Sequence, residues 1–188
     1  MNIALFSDSY LPTKSGIVTV VIQLRAALEA MGHHVVIVTV ETTPESRTDD
    51  DPCIFRVPSI PLGLGTDQFV GFPHKRKIIK FLREHQIEII HSHTEFYIAH
   101  AAKSVGKAMH IPTIATTHTM WEDFYDYYIP MARLIPVKAI RRIVKRLYRK
   151  FYAFINVSSK AHDYFKRDFM LPEIPSAVIP NAVDTAAF

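Results

Sequence analysis

Seven short apolar runs alternate with segments of helical periodicity along this chain of 188 residues, and this alternation constrains the fold more than any other feature. Most runs are continuously apolar, which is typical of strands that are covered on both faces. Strands that alternate with helices are joined by right-handed crossovers and form a parallel sheet. The predicted strands are 2–7, 34–40, 53–57, 88–91, 112–117, 153–157 and 177–179. We therefore predict an α/β fold with a doubly wound, Rossmann-like parallel sheet.

Helical patterns fill most of the intervals between these runs. They cover 16–31, 75–84, 97–109, 131–150 and 158–168. Two intervals lack the pattern: 42–52 is polar and acidic, and 58–73 is rich in glycine and proline, so both are predicted as loops. A chain of this length with 48% hydrophobic residues can bury one substantial core. We predict a single domain over 1–188.

The composition indicates in which cellular compartment the protein is expected. Cys53 is the one cysteine, so no internal disulfide can form, as is typical of a reducing compartment. The opening run lacks the basic residues of a signal peptide, and Asp8 ends its apolar character. No stretch approaches the roughly 20 apolar residues that span a bilayer. We expect a cytoplasmic protein, which is compatible with a position on a membrane surface.

The positive charge is concentrated in the segment 131–150, which has eight basic residues and no acidic one. Since the whole chain has a net charge of +4, the rest of it carries −4. The apolar residues of this segment recur at helical spacing, with the basic residues on the other face, so a basic amphipathic helix is predicted.

This basic helix has two readings. It can bind an anionic membrane surface, or it can be an ordinary crossover helix with its cations in water. A nucleic-acid groove is disfavoured because the rest of the chain is net acidic. The residues that we expect to bind the membrane are Lys138, Arg141, Arg142, Lys145, Arg146, Arg149 and Lys150.

Polar segments follow several predicted strands, at the carboxyl edge where open α/β sheets bind ligands. The first ends at Gly16, where a helix is predicted to begin. A helix N-terminus offers unpaired N–H groups to an anion, so Gly16 is a candidate for approaching a diphosphate. Neither a G-x-G-x-x-G nor a Walker A pattern is present. The alternative is a glycine that serves only as a turn and helix start.

Histidines mark the next two polar segments. We expect His91 and His93 to face opposite ways, so that one of them converges with His118 at the sheet edge. These rings suit a polar substrate pocket, structural roles, or the zinc site of a hydrolase in which Glu95 or Asp123 orients a ligand. The chain has no His-Glu-x-x-His pattern and no paired cysteines, so we expect no metal there.

Taken in order, these segments resemble the N-terminal half of GT-B glycosyltransferases of family 4. The matching motifs are Pro12-Thr-Lys-Ser-Gly16, Gly32-His33 before the second strand, His91-Ser-His93, His118-Thr119, and the start of a helix near Ser158. The Pro-Asn-Gly-Val-Asp hinge of that family reads Pro180-Asn-Ala-Val-Asp184 here, with Ala182 in place of glycine. The resemblance covers nearly the whole chain.

Within that family, the segments 93–96 and 118–129 look like those of bacterial diacylglycerol glucosyltransferases, in which the second commonly begins His-Thr-Met-Tyr-Glu-Asp-Tyr. Trp121 and Phe124 are conservative departures. The basic helix is similar to the membrane-docking helix of these enzymes and of phosphatidylinositol mannosyltransferases. The resemblance implies transfer of a hexose from a nucleotide sugar, with UDP-glucose as the expected donor, to a membrane lipid such as diacylglycerol. It implies retention of configuration, with no cofactor and no obligatory metal.

The resemblance also implies roles for individual residues. Gly16 would approach the donor diphosphate, with Ser15 and Ile17 adding backbone N–H groups, and His118 would contact the donor sugar. We add Glu95 and Asp123 as catalytic candidates that orient the acceptor hydroxyl, with helix capping as the alternative for Asp123. The candidates for the acceptor pocket are Asp8, Tyr10 and His93.

In this family the residues that grip the nucleotide lie in a second Rossmann-like domain, beyond the hinge. We therefore expect the chain to be an acceptor-side domain that lacks the nucleotide-sugar domain after the hinge at 180–184, and to be inactive alone. Its expected partners are a nucleotide sugar, a lipid acceptor and the anionic inner face of the cell membrane, where it would be peripheral, with no nucleic acid. The alternatives are a soluble or phosphatidylinositol-type acceptor, or a membrane-binding module without catalysis.

Overall fold

The computed structural model describes residues 1–43, 46, 50–61, 69–95, 97–120, 136–168, 171 and 173–182. Its strands are β1 (Asn2–Phe6), β2 (His34–Val40), β3 (Ile54–Val57), β4 (Ser59–Pro61), β5 (Phe69–Gly71), β6 (Ile89–Ser92), β7 (Thr113–Thr117), β8 (Ala153–Asn156) and β9 (Ser176–Val178). Its helices are α1 (Gly16–Ala30), α2 (Lys75–Glu84), α3 (Tyr97–Met109), α4 (Val137–Tyr148) and α5 (Ser159–Asp163), with a π-helical turn at Tyr164–Asp168.

The main sheet has seven parallel strands in the order β3-β2-β1-β6-β7-β8-β9. The chain builds outward from β1 to β3 on one side, then continues from β6 to β9 on the other. The direction reverses between β1 and β6, and such a switch point is where open α/β sheets bind ligands. The predicted doubly wound parallel sheet is confirmed.

Helices cover both faces of this sheet. On one face, Val21 of α1 shares a buried cluster with Leu5 and Ile37. On the other face, α2 and α3 bury aliphatic side chains against β1 and β2, including Ile78 and Ile98. Full burial of such side chains contributes about 1.5–3 kcal/mol each, so continuous apolar strands are stable only in this covered position.

Helix α4 joins the second face through a different cluster. Leu147 and Tyr148 are buried with Phe154 of β8 and with Phe165. The Tyr148 and Phe165 rings meet edge to face, with their centroids 4.9 Å apart. The apolar side of the predicted basic helix is therefore at least partly a packing surface on the sheet.

The predicted loop over 58–73 differs from the structure, because β4 and β5 form an antiparallel hairpin there. Ser59 pairs with Gly71, and Pro61 pairs with Phe69. These two strands, of three residues each, were not predicted because the stretch is rich in glycine and proline. Gly71 is required for packing, since a Cβ atom there would lie 2.9 Å from Cγ1 of Val40. In the described part of the chain, no helix is long and apolar enough to cross a membrane.

Candidate active site

Two histidines meet at the carboxyl edge of the sheet, beside the switch point. His93 follows β6 and His118 follows β7, and these strands are neighbours. Nδ1 of His93 lies 3.3 Å from Nε2 of His118, and the rings are stacked with centroids 5.6 Å apart. The predicted convergence of histidines at this edge is confirmed.

His91 lies on the same face as His93, with ring centroids 4.1 Å apart. Its Nε2 is hydrogen-bonded to Oγ1 of Thr116 at 2.7 Å. The expectation that His91 and His93 face opposite ways is wrong, because residues two apart on a strand share a face. The site therefore contains a row of three histidine rings.

All three histidines are held in the neutral form at neutral pH. Burial, with a smaller effect of His118, lowers the pKa of His91 to about 3. Burial also lowers the pKa of His118 to about 4, and burial together with both neighbours lowers the pKa of His93 well below its usual value. Two neutral rings in contact need one N–H donor and one acceptor. The tautomers of His93 and His118 are therefore coupled.

His93 has one ring nitrogen with no partner in the described part of the chain. Its side chain is buried, and its Nε2 makes no hydrogen bond there. A buried polar atom left unpaired costs about 1–3 kcal/mol, so a bound group at this position would be stabilised. A cavity of about 260 Å³ lies beside it, lined by His91 and Thr116, by α1 and by residues 179–182.

Glu95 is buried at the same edge, but its carboxylate is used by the protein. Oε1 accepts a hydrogen bond from the hydroxyl of Tyr148 at 2.6 Å, which ties the loop after β6 to helix α4. This gives Glu95 a structural role that the sequence did not indicate. Its catalytic role remains a prediction, and Asp123 lies outside the described residues.

Asp8 joins two loops of the sheet edge. Its carboxylate accepts from the hydroxyl of Thr94 at 2.6 Å and from the backbone N–H of Ile98 at 3.0 Å. The second bond satisfies an N–H group in the first turn of α3. Tyr10 is only 4% exposed and belongs to the hydrophobic cluster under α1, with Arg25 near its hydroxyl. These contacts give both residues structural roles, and their place in an acceptor pocket stays a prediction.

The start of α1 is open, as diphosphate binding would require. Ser15 is the N-cap, and its Oγ accepts from the N–H of Val18 at 3.3 Å. Gly16 is exposed, and a Cβ atom there would meet nothing within 4 Å. Ile17 is half-buried against the cluster under α1. Packing therefore does not explain the glycine, and the predicted diphosphate contact remains a prediction.

The basic residues of α4 and the turn after it face outward. Ile143 is 63% exposed among them, although its helical spacing predicted a place on the apolar face. Six of the seven predicted membrane-binding residues are exposed and one is half-buried: Lys138, Arg141, Arg142, Arg146, Arg149 and Lys150, with Lys145 as the half-buried one.

A possible metal-ligand group lies at the opposite edge of the sheet. Among the residues that the structure describes, ligand atoms of His34, Cys53 and His85 lie within 4.8 Å of one another. His34 begins β2, whereas the histidine row ends at the carboxyl edge. Among the described residues, His91, His93 and His118 do not meet the same distance criterion, so the zinc-hydrolase alternative has no matching ligand group there.

Residues 14–187 match the family model described as Glycosyltransferase Family 4. The chain belongs to this family. The match extends from the loop before α1 through β9. The histidine row and the start of α1 therefore both belong to the matched region.

The chain is also similar to three relatives that are named as lipid glycosyltransferases. It is 30% identical to the alpha-monoglucosyldiacylglycerol synthase of Streptococcus pneumoniae over 188 residues, which is 100% of this chain and 42% of that protein. It is 30% identical over 150 residues to the enzyme of the same name from Acholeplasma laidlawii, covering 78% of this chain and 37% of that protein. One subunit of the human phosphatidylinositol N-acetylglucosaminyltransferase is 30% identical over 194 residues, covering 100% and 38%. The chain thus spans less than half the length of these relatives.

Solved structures agree on the fold. A sucrose-phosphate synthase from Thermosynechococcus elongatus has a TM-score of 0.63 at 17% identity, covering all of this chain and 49% of that one. An alpha-glucosyltransferase solved with UDP and DNA has a TM-score of 0.60 at 16% identity, covering 100% and 44%. The prediction that the chain has the fold of half a GT-B glycosyltransferase is confirmed.

Proposed function

We propose that the protein transfers a hexose, glucose in the first instance, from a nucleotide sugar to a membrane lipid such as diacylglycerol, with retention of configuration. The observation that carries this proposal is the 30% identity, along the entire chain, to an alpha-monoglucosyldiacylglycerol synthase. The described geometry supports it, because the polar side chains converge at the edge where a sugar donor would meet an acceptor.

In this proposal His118 contacts the donor sugar. Its ring is half-buried at the sheet edge and neutral at neutral pH, so it can donate or accept a hydrogen bond to a hydroxyl without adding a charge. His93 fixes the orientation of that ring through the 3.3 Å contact. The start of α1 contributes N–H groups to the diphosphate that leaves, where negative charge develops.

The donor nucleotide would be held by a second domain, as the family resemblance implies, with UDP-glucose as the expected donor and no cofactor or obligatory metal. The relatives are more than twice as long as this chain, which leaves room for such a domain in the proteins that share its sequence.

Because the proposed acceptor is a membrane lipid, the reaction would take place at a membrane surface. We propose that the cations of α4 hold the protein on an anionic leaflet at the cytoplasmic face, as a peripheral protein. Each Lys or Arg near such a surface contributes on the order of 1 kcal/mol. Ile143, exposed between these cations, adds an apolar group that can enter the interface.

A phosphatidylinositol-type acceptor is the second candidate. The human relative, whose name contains phosphatidylinositol, has the same 30% identity over the whole of this chain. Both names concern lipid acceptors, so this alternative changes the head group and leaves the membrane setting unchanged.

The test is a transfer assay with the protein in its full-length form. Labelled UDP-glucose is offered with vesicles that contain diacylglycerol or phosphatidylinositol, and lipid-soluble product is counted. We expect product with diacylglycerol and a loss of at least about a hundredfold in the variant His118→Ala. His74→Ala is the matched control, since His74 is exposed and makes no side-chain capping bond. Transfer only to a soluble acceptor, or binding to vesicles without any transfer, would overturn the proposal.

A further inference from the structure

A cavity of about 700 Å³ lies between α3 and the segment that follows α4, away from the histidine row. Thr113 lines it and begins β7, whereas His118 follows the other end of that strand. The cavity and the candidate active site are therefore at opposite edges of the sheet. Its volume is within the range of about 300–1,000 Å³ that is typical of ligand sites.

The wall of this cavity is strongly cationic. Lys103 and Lys107 of α3 line it together with Arg149 and Lys150, and no lining residue is acidic. The described residues place no carboxylate within ion-pair distance of either α3 lysine or of Lys150. Arg149 alone has such a contact, an exposed one with Glu173 at 3.7 Å, and exposed pairs contribute little.

The charges in this cavity repel one another. The pKa of Lys103 is lowered to about 8 by burial first, and then by the neighbouring charges of Lys150 and Arg146. The pKa of His100 is lowered by burial first, and then by the charges of Lys103 and Lys150. A bound anion would offset this repulsion, so its binding at this position would be electrostatically favourable.

We propose that this cavity binds a phosphate-bearing anion through Lys103, Lys107 and Lys150. A phosphate group offers several acceptor oxygens to ammonium donors on different elements, and here these donors come from α3 and from the turn after α4. The anion is either the head group of an anionic lipid or a soluble phosphate compound. Tyr152, 72% exposed on the same wall, is an aromatic side chain of the kind that is enriched at membrane interfaces.

This inference goes beyond the proposed function and does not rest on it. A phosphate site at this edge needs neither the sugar donor nor the acceptor. Binding is therefore measured without turnover, and a failure of the transfer assay would leave the result intact.

The experiment compares two matched pairs of substitutions in the protein. Lys103→Gln with Lys107→Gln alters the cavity, and Lys75→Gln with Lys77→Gln removes the same charge from exposed positions of α2. Binding of glycerol 3-phosphate is measured by calorimetry, and binding of phosphatidylglycerol vesicles by co-sedimentation against phosphatidylcholine vesicles. We expect the cavity pair to weaken binding at least about fivefold per lysine and the α2 pair to leave it nearly unchanged.

A third variant tests whether anion binding depends on the protonation of Lys103. Anion binding to the unaltered protein is expected to weaken above about pH 8, where Lys103 loses its proton. The groups that face it are His100 and Lys107 on its own helix and Arg146, Arg149 and Lys150 opposite, with Glu173 paired to Arg149. Lys103→Arg keeps its charge at high pH, so this variant should bind without that weakening.

The outcomes separate the two sources of phosphate. Loss of glycerol 3-phosphate binding in the cavity pair assigns the site to soluble compounds, and a loss seen only with phosphatidylglycerol vesicles assigns it to a lipid head group. Equal losses in both pairs of variants would overturn the proposal, because they would show general surface attraction. So would undiminished binding in the cavity pair.

Discussion

The hydroxyl of Tyr148 donates a hydrogen bond to Oε1 of Glu95 at 2.6 Å, and both side chains are buried. Tyr148 belongs to α4, the helix with the exposed cations, and Glu95 lies two residues after His93. Burial, followed by the charge of Glu95, raises the pKa of Tyr148 well above its usual value, so the phenol remains a donor. The bond ties the proposed membrane-binding helix to the loop that carries the candidate catalytic residues.

Removal of this hydroxyl tests the link. Tyr148→Phe retains the ring packing but removes a donor to a buried carboxylate, so we expect a loss of about 1–3 kcal/mol in the free energy of unfolding. Urea denaturation measures it. Tyr152→Phe is the control, because Tyr152 is 72% exposed, and equal losses in the two variants would contradict the assignment.

The histidine row predicts how stability depends on pH. The folded pKa values of His91 and His118 are about 3 and about 4, below the ordinary value of 6.5, so the unfolded chain binds more protons between these limits. The contribution of each histidine to the free energy of unfolding is therefore fully present above about pH 6.5. Below that pH it decreases by about 1.4 kcal/mol per pH unit.

Urea unfolding at a series of pH values between about 7 and about 5 measures this slope. His91→Gln cannot titrate at that position, so its slope should be shallower, whatever its stability at neutral pH. His74→Gln is the control, because His74 is exposed. An unchanged slope in His91→Gln would show that the row does not carry the acid sensitivity.

Substitution of two glycines distinguishes a role in packing from a role in ligand binding. Gly71→Ala places a Cβ atom 2.9 Å from Cγ1 of Val40, so we expect a loss of about 1–3 kcal/mol in unfolding free energy. Gly16→Ala meets nothing within 4 Å and should leave stability unchanged. If the start of α1 binds the donor diphosphate, Gly16→Ala should nonetheless raise KM for the nucleotide sugar at least about tenfold. Normal kinetics in a stable Gly16→Ala protein would refute that role.

Vesicle binding tests the membrane role of α4. Changing Lys138, Arg141, Arg142, Lys145 and Arg146 to Gln leaves the cavity residues intact and should weaken binding to anionic vesicles at least about a hundredfold, since each cation contributes on the order of 1 kcal/mol. Wild-type binding should weaken as salt is raised and be absent with neutral vesicles. The control changes Lys75, Arg76, Lys77 and Lys80 of α2 to Gln. Equal binding by both variants would leave the cations of α4 without a membrane role.

Most of the fold could be predicted from the sequence because its strands are covered on both faces. The bounds of β2 and α3 agree with the predicted 34–40 and 97–109, since a continuous apolar run and a helical pattern each end at a clear change of polarity. The β4–β5 hairpin was not predicted, because its strands have three residues each and Gly71, which pairs with Ser59, packs against Val40, a residue remote in sequence.

The candidate site was predicted in part. The convergence of His93 with His118 followed from parallel strands whose carboxyl ends share one edge. The contacts that give Asp8 and Glu95 structural roles could not be predicted, because their partners are remote in sequence: Thr94 and Ile98 for the first, and Tyr148 for the second.

By itself, the sequence determined the order of the elements, the covered parallel sheet, the location of the positive charge and the family of the chain. These properties depend on local patterns of polarity and on motifs that are continuous along the chain. Only the tertiary structure decided which polar groups are neutral, paired or exposed. The lowered pKa values of the histidines, the bond from Tyr148 to Glu95 and the cationic cavity between α3 and the end of α4 all arise from burial and from contacts between distant segments.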